Sequence, residues 1–303
     1  MALVDTHVHL ADMPLAGDLP GVLARARAAG VDAFVVPSGD EATSRAARDL
    51  ARRHPGEVFA AAGLHPSFLP SAQAQAMGFL RKLSPEPKPT RDDPVDPGTD
   101  GAPALAWLET MLAEGGFVAV GETGLDDVIP RADLDAQERV FRAQAGMARE
   151  AGLPLIVHVR GAFERLVRVL ESIGPGGPGG VLHAFGGSAE IAARLRRLGF
   201  LRGVAGGVTR PEAVKLRAAV ARTPLDALVL ETDAPYIGTF RRPKGTVEPA
   251  DVADIRDAVA MLHGVAPGEV EARTSAAARS LFRLSPATSN SGGSDPGPRP
   301  NRQ

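Results

Sequence analysis

The chain alternates short apolar runs with longer stretches in which apolar residues recur at steps of three and four. Runs of four to eight apolar, often β-branched residues are typical of buried strands. Eight such runs predict strands: Leu3–His9, Val31–Pro37, Val58–His65, Phe117–Glu122, Leu155–Val159, Gly180–Ala184, Phe200–Ala205 and Leu228–Glu231.

The stretches between these runs carry arginines among their apolar positions, which is the pattern of amphipathic helices. It predicts helices over Leu19–Ala29, Glu41–His54, Asp135–Ala151, Phe163–Ile173, Ala189–Leu198 and Pro211–Ala221. Strands that alternate with helices predict a parallel sheet, and eight such units in 303 residues favour a TIM-type (β/α)8 barrel. An open doubly wound sheet is the alternative, although no glycine-rich dinucleotide fingerprint follows the first strand.

Two regions interrupt the alternation. The segment of about 70–103 holds five closely spaced prolines among charged and glycine residues, and we interpret it as an insertion after the third strand. Residues 284–303 are rich in Ser, Pro, Gly and Asn, so burial cannot offset their ordering entropy and we expect a disordered tail. The chain is therefore interpreted as one barrel domain over 1–283.

The amino-acid composition limits the kinds of chemistry that the chain can carry out. There is no cysteine, which excludes disulfides, thiolate metal sites and cysteine nucleophiles. The formal net charge of −2 excludes a global basic field for nucleic acid, so any such contact must be local. No apolar run approaches the roughly 20 residues of a membrane span. We expect a soluble, cytoplasmic monomer whose metal ligands are His, Asp or Glu.

His7 and His9 are the first candidates for such ligands. Residues two apart in a strand point to the same side, so the two imidazoles converge, and paired imidazoles suit zinc, manganese or iron. An isolated His-x-His is more often two polar residues at a strand end. Here, however, further titratable residues stand at the ends of later predicted strands: His65, Glu122, His158, His183 and Asp233.

Catalytic groups of such barrels collect at the carboxyl ends of the strands, so these residues predict one shared site. Four imidazoles and two carboxylates exceed the needs of one tetrahedral ion, and a carboxylate can bridge two ions. We expect one divalent ion held by His7, His9 and Asp233, another by His158 and His183, and Glu122 between them. Paired ions can lower the pKa of a shared water, which favours hydrolysis with Glu122 and Asp233 as catalytic groups. The ions could be Zn, Mn, Mg or Fe.

Each residue also has a structural interpretation. Glu122 could be a buried acid satisfied by backbone donors, and Asp233 could cap the following turn. His65 before Pro66 could mark a simple strand-to-turn transition, and Arg160 could pair with an acid rather than a phosphate. The basic residues Arg241, Arg242 and Lys244 are as consistent with a solvated loop as with a DNA-backbone contact.

Six motifs in order resemble the TatD family of metal-dependent deoxyribonucleases within the amidohydrolase-like barrels. They are Asp-Thr-His-Val-His-Leu from Asp5, Gly-Leu-His-Pro from Gly63, Val-Gly-Glu-Thr-Gly-Leu-Asp from Val120, His-Val-Arg from His158, His-Ala-Phe-Gly-Gly from His183 and Leu-Glu-Thr-Asp-Ala-Pro-Tyr from Leu230. The resemblance implies a divalent-metal phosphodiesterase acting on DNA ends or single strands, often as a 3′-to-5′ exonuclease. It implies metal ligation by His7, His9, Glu122, His158, His183 and Asp233, and places His65 and Arg160 near the scissile phosphate.

Two other functions remain open at this point. The same metal chemistry could serve a hydrolase of a small amide, ester or lactone. A metal-binding scaffold without turnover is the third possibility, although the full ligand set argues against it.

Overall fold

The computed structural model describes residues 2–69, 102–130, 132–174, 177 and 179–285. Its eight strands are β1 (Leu3–Asp5), β2 (Val31–Val36), β3 (Val58–Ala62), β4 (Ala119–Asp126), β5 (Leu155–Arg160), β6 (Gly180–Leu182), β7 (Phe200–Val204) and β8 (Leu228–Leu230). All neighbouring pairs are parallel, and the strand order follows the chain. Each predicted strand is present, most of them one or more residues shorter at the carboxyl end.

Hydrogen bonds from the segment that follows β1 to the last residue of β8 and to the segment after it close the ring. The Thr6 amide donates to the Leu230 carbonyl over 3.0 Å, and the His9 amide donates to the Ala234 carbonyl over 3.0 Å. Val8 and Ala234 form a parallel bridge between these contacts. The sheet is therefore a barrel, which confirms the TIM-type prediction over the open-sheet alternative.

Nine α-helices lie in the described part of the chain: α1 (Leu19–Ala28), α2 (Glu41–Arg53), α3 (Ala102–Glu114), α4 (Leu134–Ala151), α5 (Phe163–Ile173), α6 (Ala189–Arg196), α7 (Val214–Ala221), α8 (Val252–His263) and α9 (Pro267–Phe282). They include all six predicted helices. The helix predicted from Pro211 begins only at Val214, because the preceding residues form a turn in which the Ala213 amide donates to the Arg210 carbonyl. None of these helices is both long and apolar enough to cross a membrane.

Alternate residues of the strands build two apolar layers. Small and β-branched side chains such as Val4, Ala61 and Val229 fill the inside of the barrel. The opposite strand faces pack against the surrounding helices in a larger cluster. Phe282 of α9 joins the inner cluster, and Arg279 of α9 pairs with Asp32 at the amino end of β2, so α9 covers the amino-terminal end of the barrel. The carboxyl ends of the strands are left for polar residues.

Most of the predicted insertion and tail lies outside the described residues, namely 70–101 and 286–303. Helix α3 begins at Ala102, within the end of the predicted insertion. Leu284, the first residue of the predicted tail, is buried, and its amide donates to the Arg279 carbonyl over 3.1 Å.

Candidate metal centre

The titratable residues predicted from the strand ends meet at the carboxyl end of the barrel. They surround a cavity of about 370 Å³. The candidate ligands that line it are His9, His65, Glu122, His158, His183 and Asp233. His7 lies beneath them and is fully buried. The tertiary structure thus brings seven of the eight predicted site residues into one cluster.

Glu122 occupies the middle of this cluster. Its Oε1 lies 2.8 Å from His158 Nδ1, whereas its Oε2 lies 3.3 Å from His7 Nε2. His65 Nε2 and His183 Nε2 are farther from Oε1, at 3.6 and 4.0 Å. The two oxygens of one carboxylate therefore face histidines from opposite sides of the barrel mouth, which is the arrangement that a bridging ligand needs.

Asp233 stands on the β1 side of the cluster. Its Oδ1 lies 3.2 Å from His9 Nε2 and 3.6 Å from His7 Nε2, and its Oδ2 lies 3.7 Å from His183 Nε2. The residue has a φ of 51°, in the left-handed region that few non-glycine residues adopt. Its amide donates to the His7 carbonyl over 2.8 Å, which holds this backbone conformation and fixes Asp233 against β1.

His7 and His183 stack, with ring centroids 3.5 Å apart and an interplanar angle of 20°. Neither ring nitrogen of the buried His7 makes a hydrogen bond to any described residue. Buried polar atoms normally have a hydrogen-bond partner. An imidazole without one, next to two carboxylates, therefore fits a metal ligand that uses its nitrogen lone pair to bind the ion.

Sets of three donors whose ligand atoms lie within 4.8 Å of one another divide the cluster into overlapping groups. They are His7–His9–Asp233, His65–Glu122–His158 and His7–His183–Glu231. The first is one of the two sites expected from the sequence. The second pairs His158 with His65 instead of His183, while His183 stands between Glu122 and Asp233.

The electrostatics of the cluster keep both carboxylates ionised. Burial favours protonated Glu122, yet His7, His183 and His158 outweigh it and hold the pKa of Glu122 well below its usual value. Burial likewise opposes the charge of Asp233, but His183, His9 and His7 lower the pKa of that carboxyl. Ionised carboxylates next to imidazoles form a set of oxygen and nitrogen donors that suits divalent cations.

Two buried carboxylates that the sequence analysis gave no role face the outer nitrogens of the histidines. Asp126 Oδ2 lies 2.9 Å from His158 Nε2, and Glu231 Oε1 lies 3.0 Å from His183 Nδ1. Each contact directs the other ring nitrogen toward the cavity, as the partners of metal-bound histidines do. The signal was present, because Asp126 and Glu231 stand inside the motifs that contain Glu122 and Asp233.

Asp5 ties the two ends of the ring together. Its carboxylate accepts hydrogen bonds from the Thr232 amide (2.9 Å), the Thr232 hydroxyl (2.6 Å) and the His7 amide (3.3 Å). The side chain is buried, so these three donors replace its lost hydration. Asp5 thereby sets the position of His7 relative to Asp233, one residue beyond Thr232.

Gly124 explains the spacing of the Gly-Glu-Thr-Gly motif. A Cβ atom there would lie 1.9 Å from the His158 carbonyl oxygen, and the glycine has a φ of 152°. Only glycine allows β4 to approach β5 this closely. The close approach brings Glu122 within hydrogen-bonding distance of His158.

The predicted substrate-binding residues differ in their placement. His65 lines the cavity, and its Nδ1 accepts a hydrogen bond from the Ser67 amide over 3.1 Å. Arg160 is not among the described residues that line the cavity; its side chain is 58% exposed and its Nη1 lies 3.6 Å from Asp126 Oδ2. The structural interpretation of Arg160, pairing with an acid, thus has an observed partner.

Two members of the basic loop after β8 also have acidic partners. Arg241 Nη1 lies 3.0 Å from Asp254 Oδ1, and Arg242 Nε lies 3.2 Å from Asp251 Oδ1. These contacts agree with a solvated loop held against α8.

A closed parallel barrel with imidazoles and carboxylates gathered at the carboxyl ends of its strands is the architecture of barrel-type metal-dependent hydrolases. Comparison with known proteins agrees with this class of protein and also identifies the family. Residues 4–283 match the family model described as TatD related DNase. The chain belongs to this family, which confirms the resemblance found in the motifs, and it is a metal-dependent hydrolase.

Individual relatives cover almost the whole chain. It is 32% identical to the uncharacterized metal-dependent hydrolase YabD of Bacillus subtilis, over 93% of this chain and 99% of that protein. It is 30% identical to the 3'-5' ssDNA/RNA exonuclease TatD of Erwinia tasmaniensis, over 93% of this chain and 100% of that protein. Among solved structures, the TatD homolog YJJV of Escherichia coli superposes with a TM-score of 0.76 at 28% identity, over 93% and 98% of the two chains.

Proposed function

We propose that the protein is a two-metal phosphodiesterase that removes nucleotides from the end of single-stranded DNA. The observation that carries the proposal is the position of Glu122, whose two oxygens face His158 on one side and His7 on the other. In this arrangement His7, His9 and Asp233 would hold one ion, His158 and His183 would hold the other, and Glu122 would serve both. A relative named as a 3'-5' ssDNA/RNA exonuclease supports the substrate class and the 3′-to-5′ direction.

When bound, such a pair of ions supplies Lewis acidity and lowers the pKa of a shared water. The chain's own residues accept the proton of that water and orient the histidines. Asp233 lines the cavity as an ionised carboxylate and is the group to which a water proton can pass. Asp126 keeps His158 oriented by accepting from its outer nitrogen, and Glu231 lies 3.0 Å from the outer nitrogen of His183.

His65 is suited to donate a hydrogen bond to a phosphate oxygen. Burial lowers the pKa of His65 to about 4, so the ring is neutral at physiological pH. Because Nδ1 accepts from the Ser67 amide, the hydrogen of the neutral ring is on Nε2, which is the nitrogen that faces Glu122. A neutral donor at this point can hold a substrate oxygen without competing for a cation.

Two aromatic side chains at the cavity support an unpaired nucleic-acid end as the substrate. Phe68 lines the cavity and is 54% exposed, and Tyr236 lines it and is also exposed. The Tyr236 hydroxyl donates to Asp12 over 2.7 Å, and its ring stands edge-on to His9 at 5.0 Å, so its orientation is fixed. Exposed aromatic rings of this kind stack on unpaired bases without regard to sequence.

Hydrolysis of a small ester, lactone or amide is the second candidate function. The pairing of Arg241 with Asp254 and of Arg242 with Asp251 favours it, because it reduces the positive charge available to a DNA backbone. The cavity of about 370 Å³ also lies within the size range of small-molecule sites.

One experiment separates these functions. Chelator-stripped protein is reconstituted with Zn²⁺, Mn²⁺, Mg²⁺ or Fe²⁺ in turn and offered single-stranded DNA labelled at the 3′ or 5′ end, single-stranded RNA, duplex DNA, a model phosphodiester and simple lactones and amides. We expect metal-dependent release of mononucleotides from the 3′ end of single strands, and no release by the Glu122→Gln variant. Rapid lactone or amide turnover without DNA cleavage would overturn the proposal in favour of the second candidate.

A further inference from the structure

Helix α4 carries two glutamines on the face that packs against the barrel. Gln137 and Gln144 are seven residues apart, which places them on the same side of the helix, two turns from each other. Gln144 is fully buried and Gln137 is almost so. A buried amide group is unfavourable unless its polar atoms form hydrogen bonds, and an apolar side chain could fill the same space without that cost. The hydrogen bonds of the two amides therefore indicate what each glutamine adds.

Gln144 connects the segment after β3 to β4. Its Oε1 accepts from the Leu64 amide over 2.8 Å, and its Nε2 donates to the Leu64 carbonyl over 3.0 Å and to the Thr123 hydroxyl over 2.6 Å. Both hydrogens of the side-chain amide and its oxygen are thus used. Because a backbone amide can only donate and a carbonyl can only accept, these bonds also fix which way the side-chain amide is turned.

These contacts lie next to two residues of the candidate metal centre. Leu64 precedes His65, and Thr123 follows Glu122. The His65 amide donates to the Gly39 carbonyl over 2.9 Å, so the backbone of residues 64–65 is held by α4 on one side and by the loop after β2 on the other. The glutamine thereby links the two chain segments whose side chains approach at His65 Nε2 and Glu122 Oε1, 3.6 Å apart.

Gln137 makes the same kind of contact at the end of β4. Its Oε1 accepts from the Asp126 amide over 2.7 Å, and its Nε2 donates to the Asp126 carbonyl over 3.1 Å. The next amide along the chain, that of Asp127, donates to the Arg160 carbonyl of β5, so the Asp126 backbone faces the side of β3. Because β3 has already ended at Ala62, the glutamine takes the place of a strand partner. The two glutamines thus have equivalent chemistry and hold different segments.

We infer that Gln144 is a positioning residue for the proposed reaction: it fixes His65 relative to Glu122, so that the Nε2 hydrogen of His65 meets the phosphate oxygen of the substrate. The inference rests on the proposed function, which assigns His65 to the substrate. Gln144 is not among the described residues that line the metal-centre cavity, and it acts through the backbone of Leu64. A displacement of about 1 Å in a catalytic arrangement can cost about 100-fold in rate, so a buried amide outside the cavity can control turnover.

The test is a double-mutant cycle between Gln144 and His65, measured as kcat/KM on single-stranded DNA labelled at the 3′ end, at saturating metal. Gln144→Met keeps the length of the side chain and removes its three hydrogen bonds. It should lower kcat/KM by about 10- to 100-fold in the wild-type background. In the His65→Ala background the same replacement should change kcat/KM by less than about twofold, because the group that it positions is absent. Equal effects in both backgrounds would overturn the inference, since a general loss of packing does not depend on His65.

Gln137→Met is the matched control. It removes two equivalent hydrogen bonds on the same helix face, but these hold Asp126 and not the segment of His65. Any change that it causes in kcat/KM should be the same with and without His65. A Gln137→Met effect that also disappeared in His65→Ala would show that the cycle reports the packing of α4, and it would overturn the inference.

A second readout does not need turnover. In metal-free protein with isotope-labelled histidine, the NMR ring signals of His65 are assigned by their loss in His65→Ala. They should shift in Gln144→Met and stay in place in Gln137→Met, and unchanged signals in Gln144→Met would overturn the inference even if activity fell. Absence of DNA cleavage by the wild-type protein would instead refute the proposed function, and the NMR comparison would still decide whether Gln144 sets the position of His65.

Should Gln144→Met not fold, the variant Thr123→Val decides. Valine has the shape of threonine without the hydroxyl, so this replacement breaks only the bond between Gln144 and Thr123. It should lower kcat/KM by about 3- to 10-fold, the effect of one hydrogen bond, and the loss should again disappear in His65→Ala. A loss of the same size in both backgrounds would overturn the inference.

Discussion

His158 Nε2 lies 2.9 Å from Asp126 Oδ2, on the side of the ring that faces away from His183 and the metal centre. The opposite nitrogen, Nδ1, lies 2.8 Å from Glu122. A carboxylate at Nε2 retains the hydrogen there and leaves the Nδ1 lone pair for a cation. Asp126 is therefore a positioning residue for the proposed metal ligand His158.

Replacing Asp126 by Asn should weaken metal binding by about 10- to 100-fold, because the amide no longer fixes the tautomer of His158. Competition with a chromophoric chelator measures the affinity directly, without reference to turnover. Asp127→Asn is the matched control, since Asp127 is the adjacent residue and is exposed. Equal metal affinity in the Asp126→Asn and Asp127→Asn variants would show that Asp126 does not position His158.

Replacing Glu122 by Gln should reduce turnover by about 10³-fold or more while the protein remains folded, because the amide keeps the shape but loses the charge between the two histidine groups. Metal analysis should show fewer bound ions per chain than in wild type. A variant that retains both its metal content and its turnover would refute the bridging role.

Chelation should lower the unfolding midpoint of the wild-type protein. A ligand that binds only the native state stabilises it by about 2.7 kcal/mol when the free ligand concentration is 100 times Kd.

Replacing Phe68 by Ala should raise KM for single-stranded DNA by roughly 5- to 150-fold, corresponding to the 1–3 kcal/mol of one base stacked on an aromatic ring. Turnover of a model phosphodiester without a base should be unchanged. Phe240→Ala is the control, because Phe240 is similarly exposed but does not line the metal-centre cavity. If Phe68→Ala affected DNA and the small phosphodiester equally, the side chain would have a structural role and not a stacking one.

Replacing Thr232 by Val should lower the free energy of unfolding by about 1–3 kcal/mol, because it leaves the buried Asp5 without its shortest hydrogen bond. Urea titration of the metal-free protein measures this effect. Thr110→Val on α3 serves as the control: Thr110 is exposed and donates only to the Ala106 carbonyl within its own helix. A loss in Thr232→Val no larger than in Thr110→Val would mean that the Asp5 contact contributes little.

The sequence predicted the architecture because hydrophobic periodicity is a local property. Each strand is specified by its own apolar run and each helix by its own spacing, so the eightfold alternation could be recognised along the chain. The candidate ligands could be found for a related reason. The carboxyl ends of parallel strands converge in a barrel, so His158 and Asp233, 75 residues apart in number, were expected at one mouth.

Contacts between distant side chains, in contrast, have no signature in any single segment. The pairing of Asp5 with Thr232 spans 227 positions, and nothing near Asp5 in the sequence identifies Thr232 as its partner. The same holds for Arg160 beside Asp126, where the acid partner could be identified only from the register of β4 against β5.

What the sequence determined by itself was the order of strands and helices, the barrel and the set of residues at its mouth, because these depend on local pattern and on a fixed topology. Only the tertiary structure decided which nitrogen of each histidine faces the cavity and that Gln144 of α4 holds the backbone beside His65. Those features depend on where side chains from different elements come to rest, and packing, not periodicity, sets those distances.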